Sequence, residues 1–462
     1  MRFFEIISIL LAFVVIINLS IRKFLRRETL LLIFINIIFT IIHLIIEGYR
    51  WQMIPLYFLL GLFVFIKNKE FRLSISLVLI MTWLLAILLP FLIPIISLSN
   101  PTGSFNIGSK IYDWTDSSRV ELFTNDPLDF RNIVVQFWYP SKEHHISSPL
   151  PYLDHMKFRS KAIGDRVGLP SFMLSHLALV KTNSYHNSSP SKGSFPLIIF
   201  SHGLGGMRTQ NTILMEELAS NGYIVVAMDH AFDANTTVFP TLNSDGNLKF
   251  ADYRSAIPEG TSDSLWLKIR NNQLDTRISD IFFILQKLDK KETLISESID
   301  FTKIGVVGHS FGGATAVLSA MSNERIKAVV ALDGWFVPFA LLDNETQLNV
   351  PFLYIGQERW DSWNEKRHLH YLDLLIKQST AVAYHISVKG AKHYDFADVP
   401  LFSPIAPIIG LTGFPNGKQI VRIVNSTTLQ FFNKYLKNNL NYNFSTPSLP
   451  TISVRNNQQS YP

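Results

Sequence analysis

The sequence predicts about four transmembrane α-helices followed by an α/β domain, a mostly parallel central sheet with helices on both faces. Three observations carry that expectation. Apolar residues are concentrated in the first hundred of 462 positions. Beyond Pro101, short β-branched and aromatic runs alternate with helical patterns, as in layered α/β domains. One such run, Lys303–Val307, passes through Gly308-His309-Ser310-Phe311-Gly312-Gly313 into an Ala-rich helical segment. A serine set this way between glycines, at a strand-to-helix turn, has its hydroxyl lifted clear of the sheet.

Taken in order, residues 1–100 hold four apolar runs: Phe3–Ile21, Thr29–Ile46, Trp51–Ile66 and Leu73–Leu98. Crossing the hydrocarbon layer takes roughly 20 apolar residues. The first, second and fourth runs reach that length. The third is short, with Trp51 and Tyr57 as interfacial anchors and Lys67 able to snorkel. Four basic residues lie in Ile21–Glu28 and three in Lys67–Arg72, whereas Glu47–Arg50 holds one charge of each sign. The positive-inside rule then puts the two basic loops in the cytoplasm and both chain ends outside. Two basic loops share a side only if the third run also crosses, which favours four spans. No small-x-small site precedes Ile21, so the first run is expected to be an uncleaved span rather than a leader. Glu5, Asn18, Asn36 and His43 interrupt the spans; with Glu5 near an end and His43 alone, the spans read as an anchor.

Nine basic and four acidic residues precede Pro101, so only +1 of the net +6 belongs to the remainder. That balance excludes a nucleic-acid-binding face. The absence of cysteine excludes disulfides, thiolate chemistry and Cys-based zinc sites. No His/Asp/Glu group stands at metal-ligand spacing, so no metal or cofactor is expected.

The second part, 101–437, is expected to be one domain, and 438–462, rich in Asn, Ser, Gln and Pro, a loose tail. Asn106–Trp114 and Ile133–Pro140 read as strands. Phe195–Phe200 is a buried strand running into Ser201-His202-Gly203-Leu204-Gly205-Gly206, with helix over Thr209–Asn221. Glycines at this place let backbone N–H groups face a developing oxyanion; the N–H groups of Leu204 and Phe311 are the expected donors. Tyr223–Met228 is a strand ending at Asp229-His230, read as a hydrogen-bonded loop start. Ala231–Leu265 lacks periodicity and suits a cap, and Leu267–Leu288 is helical. Strands follow at Ile326–Leu332, Val350–Ile355 and Thr380–Val388. His393 comes five residues after the last strand, where a base on a loop belongs. His385 lies inside that strand, and His368 and His370 fall in a helix or loop. Spacing leaves the acid open between Asp333, after the first strand beyond the serine, and Glu358 or Asp361, after the second.

The motifs FSHGLGG (Phe200–Gly206), GHSFGG (Gly308–Gly313), ALDGW (Ala331–Trp335) and KHYDFADVPLFSP (Lys392–Pro404) resemble the plasma-type platelet-activating factor acetylhydrolase family of α/β-hydrolases, particularly its bacterial relatives. The likeness runs in the family's order from about Pro101 to Lys437. It implies Ser310 as nucleophile, Asp333 as triad acid, His393 as base, and Leu204 and Phe311 as the oxyanion hole. It also implies calcium-independent hydrolysis of short or oxidised acyl groups from phospholipids, with a lipid ester as substrate. The bilayer is expected as a neighbour from the spans, since Pro101 follows the last of them almost at once. The multi-span anchor is a departure, because the plasma enzyme is secreted. Acyl transfer to a lipid or glycan alcohol uses the same residues, and an inactive binding ectodomain is the rival from another class.

Overall fold

Four N-terminal helices carry apolar side chains on every face. They are α1 (Phe3–Arg22), α2 (Arg27–Ile42, prolonged by a π-helical turn over His43–Glu47), α3 (Ile54–Phe65) and α4 (Leu73–Leu92). The computed structural model describes residues 1–22, 27–65, 73–142, 148–242, 245–342, 347–360, 367–414, 417–439 and 452–457. It divides into two units, the first being Met1–Ser97 with Ile163–Val180 and Phe402–Ala406, the second the remainder.

In the first unit, Ile9, Ala12, Val15, Ile16 and Leu19 of α1 pack at helical spacing against Leu56, Leu59, Leu60 and Phe63 of α3 and Ile33 of α2. The opposite faces expose Leu10, Leu31, Phe34, Phe58, Phe65 and Phe91. A helix apolar on all its faces suits a membrane span or a large buried core. Three segments are long and apolar enough to cross a membrane, Phe3–Ser20, Arg27–Glu47 and Ser74–Leu92, and Trp51–Phe65 is a shorter apolar helix. The helical part of the fourth run stops at Leu92 rather than Leu98, with Pro90 in its last turn and Pro94 just beyond.

His43, expected to stand alone, has partners, and so does Glu5. Arg50 grips Glu5 with Nε and Nη2 at 2.7 and 2.5 Å, and Arg2 adds Nε at 2.9 Å. His43 meets the Glu47 carboxylate at 2.9 Å and the Tyr57 hydroxyl at 2.9 Å. Three helix ends and the 47–50 turn converge here, a juxtaposition that one-dimensional spacing does not reveal. The two basic loops that set the expected orientation fall largely in 23–26 and 66–72, outside the described residues.

The second unit runs β1 (Asn106–Val120), β2 (Phe130–Ser141), α5 (Met156–Val167, counted with the second unit only as far as Ala162), β3 (Ser184–His186), β4 (Phe195–Ser201), α6 (Thr212–Ser220) and β5 (Ile224–Asp229). It continues with β6 (Thr236–Leu242), β7 (Leu248–Asp252), α7 (Asp263–Asp289), α8 (Leu294–Glu297), β8 (Ile299–His309), α9 (Phe311–Ser322) and β9 (Ile326–Leu332). β10 (Phe352–Gln357), α10 (Arg367–Gln378), β11 (Ala383–Val388), α11 (Gly417–Leu436) and β12 (Ile452–Asn456) complete it. The sheet order is β12-β11-β10-β9-β8-β4-β5-β2-β1-β3. Pairing is parallel from β5 through β4, β8, β9 and β10 to β11, and antiparallel at β2–β5, β1–β2 and β11–β12. One face is covered by α7, α9 and α10 through Leu274, Ile281, Val317 and Leu372. The other is covered by α6 and α11 through Leu214, Leu218, Ile420 and Phe431. This is the α/β-hydrolase architecture expected from the motifs.

Two stretches differ from expectation. Ala231–Leu265 contains the β6–β7 hairpin, and α7 starts early because the Ser262 side chain caps the N–H of Leu265. Within 438–462, expected to be loose, Ile452–Asn456 pairs with β11 from Val388 to Tyr384. Polar composition does not prevent a backbone ladder at a sheet edge.

The loop after β11 forms a 3₁₀ turn, His393–Phe396, and docks on the start of α6. Asn211 Nδ2 donates to Phe396 O (2.8 Å), and Asp398 Oδ2 accepts from Tyr152 Oη (3.1 Å) and Ile213 N (3.3 Å). Burial, with the Glu216 carboxylate nearby as a lesser cause, pushes the Asp398 carboxyl up to about 8. An unfolded chain releases that proton near pH 4. The folded state therefore holds an extra proton between about pH 4 and 8, and this group's contribution to stability falls as pH rises through that window. Asp398→Asn keeps the acceptor oxygen and removes the titration. Its melting temperature, relative to the parent chain, should rise progressively from pH 4 to 8 in thermal scans; a pH-independent difference contradicts this.

Candidate active site

β8 ends at His309 and α9 begins at Phe311, leaving Ser310 between them at φ 57°, ψ −121°. Non-glycine residues in this region cost on the order of 1–3 kcal/mol and persist only when neighbours over-determine them. Here Ser310 N donates to Leu332 O (3.0 Å), and Trp335 N donates to Ser310 O (2.9 Å). A Cβ at Gly308 would lie 2.0 Å from Gly312 O, so the turn closes only on glycine.

Asp333 follows β9 directly, also at positive φ (43°), with its N–H on Ile355 O at 2.7 Å. Its carboxylate accepts four hydrogen bonds. Oδ1 takes Tyr354 Oη (3.0 Å) and Gln357 N (2.8 Å); Oδ2 takes Gln357 Nε2 (2.9 Å) and His393 Nδ1 (2.6 Å). With Nδ1–H committed to the carboxylate, the basic lone pair of His393 lies on Nε2. Of the acids left open by spacing, Asp333 is thus the one joined to His393. Glu358 is exposed, and Asp361 lies outside the described residues.

The side chains that hold Tyr354 behind Asp333 were not legible in the sequence. Tyr354 Oη also meets His368 Nε2 (3.3 Å), and His368 Nδ1 accepts from Phe336 N (3.1 Å). Burial holds the His368 imidazole well below its ordinary pKa. Trp360 packs on both His368 and His393, with ring centroids 4.2 and 5.2 Å away. A tyrosine inside the buried β10 run was the available signal, since a buried Tyr hydroxyl needs a partner.

The loop after β4 is held by Arg277 of α7. Its Nη1 donates to His202 O (2.5 Å) and its Nη2 to Gly203 O (3.3 Å), and its Nε pairs with Asp233. In a trans peptide the C=O and the following N–H point opposite ways. Turning Gly203 O toward Arg277 therefore turns the N–H of Leu204 away from it. A Cβ at Gly203 would stand 3.2 Å from the Cβ of Ser310, so this loop abuts the serine. Phe311 is the first residue of α9, and its N–H belongs to the helix's first turn.

The structure contains a second Ser-His-Asp constellation. Ser201 Oγ lies 2.9 Å from His230 Nε2, and His230 Nδ1 lies 2.9 Å from Asp280 Oδ2. Solvent access separates the two: Ser201, His230 and Asp280 are each 0% exposed, whereas Ser310 and His393 retain 6% and 4%. Burial and, to a lesser extent, Arg277 push His230 down to about 4, and Arg131 closes on Asp280 at 2.6 Å. His230 is thus a hydrogen-bonded residue at the start of its loop, as read from sequence.

Among the described residues, one group of three, Glu5, His43 and Glu47, brings possible metal-ligand atoms within 4.8 Å of one another. The bidentate contact with Arg50 already occupies Glu5, and a divalent ion there would face two guanidinium groups.

Residues 97–450 match the family described as platelet-activating factor acetylhydrolase, isoform II. A platelet-activating factor acetylhydrolase of Cavia porcellus is 27% identical over 322 residues, covering 65% of this chain and 72% of that protein. A probable 1-alkyl-2-acetylglycerophosphocholine esterase of Arthroderma benhamiae is 24% identical, covering 66% and 76%. Among solved structures, a ferulic acid esterase from Streptomyces cinnamoneus aligns with TM-score 0.63 and 26% identity, covering 78% of this chain and 99% of that one. The match spans most of the chain and all the elements that build the site, so this chain belongs to the platelet-activating factor acetylhydrolase isoform II family of carboxylic ester hydrolases.

Proposed function

We propose that the chain is a membrane-anchored serine esterase that cleaves short or oxidised acyl groups from phospholipids or related lipid esters. The observation that carries this reading is the 2.6 Å Asp333–His393 contact, made beside a serine on a strained strand-to-helix turn. His393 Nε2 takes the proton of Ser310 Oγ as the oxygen attacks the ester carbonyl. Asp333 stabilises the imidazolium that forms. The N–H groups of Leu204 and Phe311 receive the oxyanion, each donor contributing about 3 kcal/mol in comparable sites. The alcohol leaves with the proton from His393, and water attacks the acyl-serine with His393 as base again. The residues suffice without metal or cofactor. Names given to relatives, for acetyl esters of alkyl glycerophosphocholine and for a feruloyl ester, support esters as the substrate class; the lipid-facing helices favour the lipid ester.

The basic loops favour a cytoplasmic side for 22–27 and 67–72, which places the catalytic unit outside the cell membrane. Protease added to intact cells should then cleave the catalytic unit; full protection contradicts the orientation.

Ser310→Ala should lower kcat on a short p-nitrophenyl ester by roughly 10⁴-fold or more, and Asp333→Asn should approach that loss. Glu358→Gln and Asp361→Asn should stay near the parent rate. Retained hydrolysis in Ser310→Ala overturns the assignment.

A further inference from the structure

We propose that Gln210 and His309 are positioning residues, forming a strut that fixes the base loop against the oxyanion loop; this rests on the roles proposed above for His393 and Leu204. Gly203 N donates to Gln210 Oε1 (3.3 Å). With that oxygen turned to Gly203, the amide nitrogen faces His309 Nδ1 at 2.6 Å and donates to it. The imidazole proton then lies on Nε2, which donates to the backbone carbonyl of His393 at 3.1 Å. Each link fixes donor and acceptor in the next, so the chain has one proton arrangement only.

The surroundings are shaped for this strut. A Cβ at Gly206 would lie 2.1 Å from Gln210 Oε1, and one at Gly203 would lie 3.2 Å from His309 Nδ1. The first and last glycines of the loop, Gly203 and Gly206, therefore make room for the imidazole and the amide. Gln210 O accepts from Asp398 N (3.1 Å), which ties the same residue to the far end of the base loop. The His309 ring lies 4.6 Å from the His393 ring. Burial keeps His309 neutral, as a neighbour of an imidazole that gains a proton in turnover must be.

Neither side chain meets the substrate in this scheme. The strut sets where His393 stands relative to Ser310 and to the N–H of Leu204, distances to which proton transfer and oxyanion binding are sensitive within about 1 Å. Losing it should lower kcat and spare KM. The two residues form a single chain, so their losses should not multiply.

The test uses full-length protein in detergent micelles, with kcat, KM and melting temperature on a short p-nitrophenyl ester. Gln210→Met and His309→Ala should each lower kcat roughly 10–100-fold with KM near the parent value. The double variant should lose no more than the worse single one. His309→Gln, which restores a donor to His393 O and an acceptor to Gln210, should recover part of the loss relative to His309→Ala. Parent-like kcat in Gln210→Met, or multiplicative losses in the double variant, overturns the strut. If a single variant melts early, the comparison of His309→Gln with His309→Ala at equal folded fraction decides, and equal kcat in the two counts against the strut. Ser310→Ala distinguishes the levels: activity retained there removes the serine mechanism itself, whereas activity lost there with parent-like Gln210→Met removes the strut alone.

Discussion

The carboxylate of Asp333 organises this site, because four donors from two directions fix it and one of them is His393. Three come from β10, the strand beside β9, so the acid is held by the sheet rather than by its own loop. Its backbone N–H is bound to Ile355 on the same neighbour. Positive φ at both Asp333 and Ser310 places two side chains at the carboxyl ends of parallel strands, where loops rather than strands can meet a ligand. Backbone hydrogen bonds between the two turns, Ser310 N to Leu332 O and Trp335 N to Ser310 O, hold those strained conformations together.

Around the site lies a dense layer of buried charge. Arg277 orients the β4 loop, Arg208 pairs with Asp154 and Asp229, and Arg131 with Glu121 and Asp280. Burial of such pairs is costly unless every partner is in place. The result is a loop whose His202 and Gly203 carbonyls are held inward by Arg277. The same layer contains a Ser-His-Asp arrangement that never reaches solvent. Geometry between three side chains is therefore insufficient to define a catalytic centre; access and the strained serine conformation separate Ser310 from Ser201.

The parallel strands were legible because their apolar runs stop abruptly at small, polar or charged residues, and their boundaries agree within a few residues. Ser310, His393 and the Gly-rich loop were legible because local chemistry dictates them. Spacing alone left the acid open, since Asp333 and Glu358 stand in similar strand-end contexts; the family resemblance pointed to Asp333, which is the one that contacts His393. Tyr354, Gln357 and His368 escaped for the same reason: their role comes from contacts across strands, not from spacing. His43 looked solitary because Tyr57 reaches it from another segment, and the partner of Glu5, Arg50, likewise lies far off in the chain. The β12 strand was hidden by polar composition.

Reaction of the folded full-length chain with a fluorophosphonate, followed by mass-spectrometric mapping of the modified peptide, tests the central claim most directly. The account predicts one adduct, on Ser310, with Ser201 unmodified and with labelling lost once the protein is denatured. An adduct on Ser201 in the folded protein, or no adduct on Ser310, would contradict it.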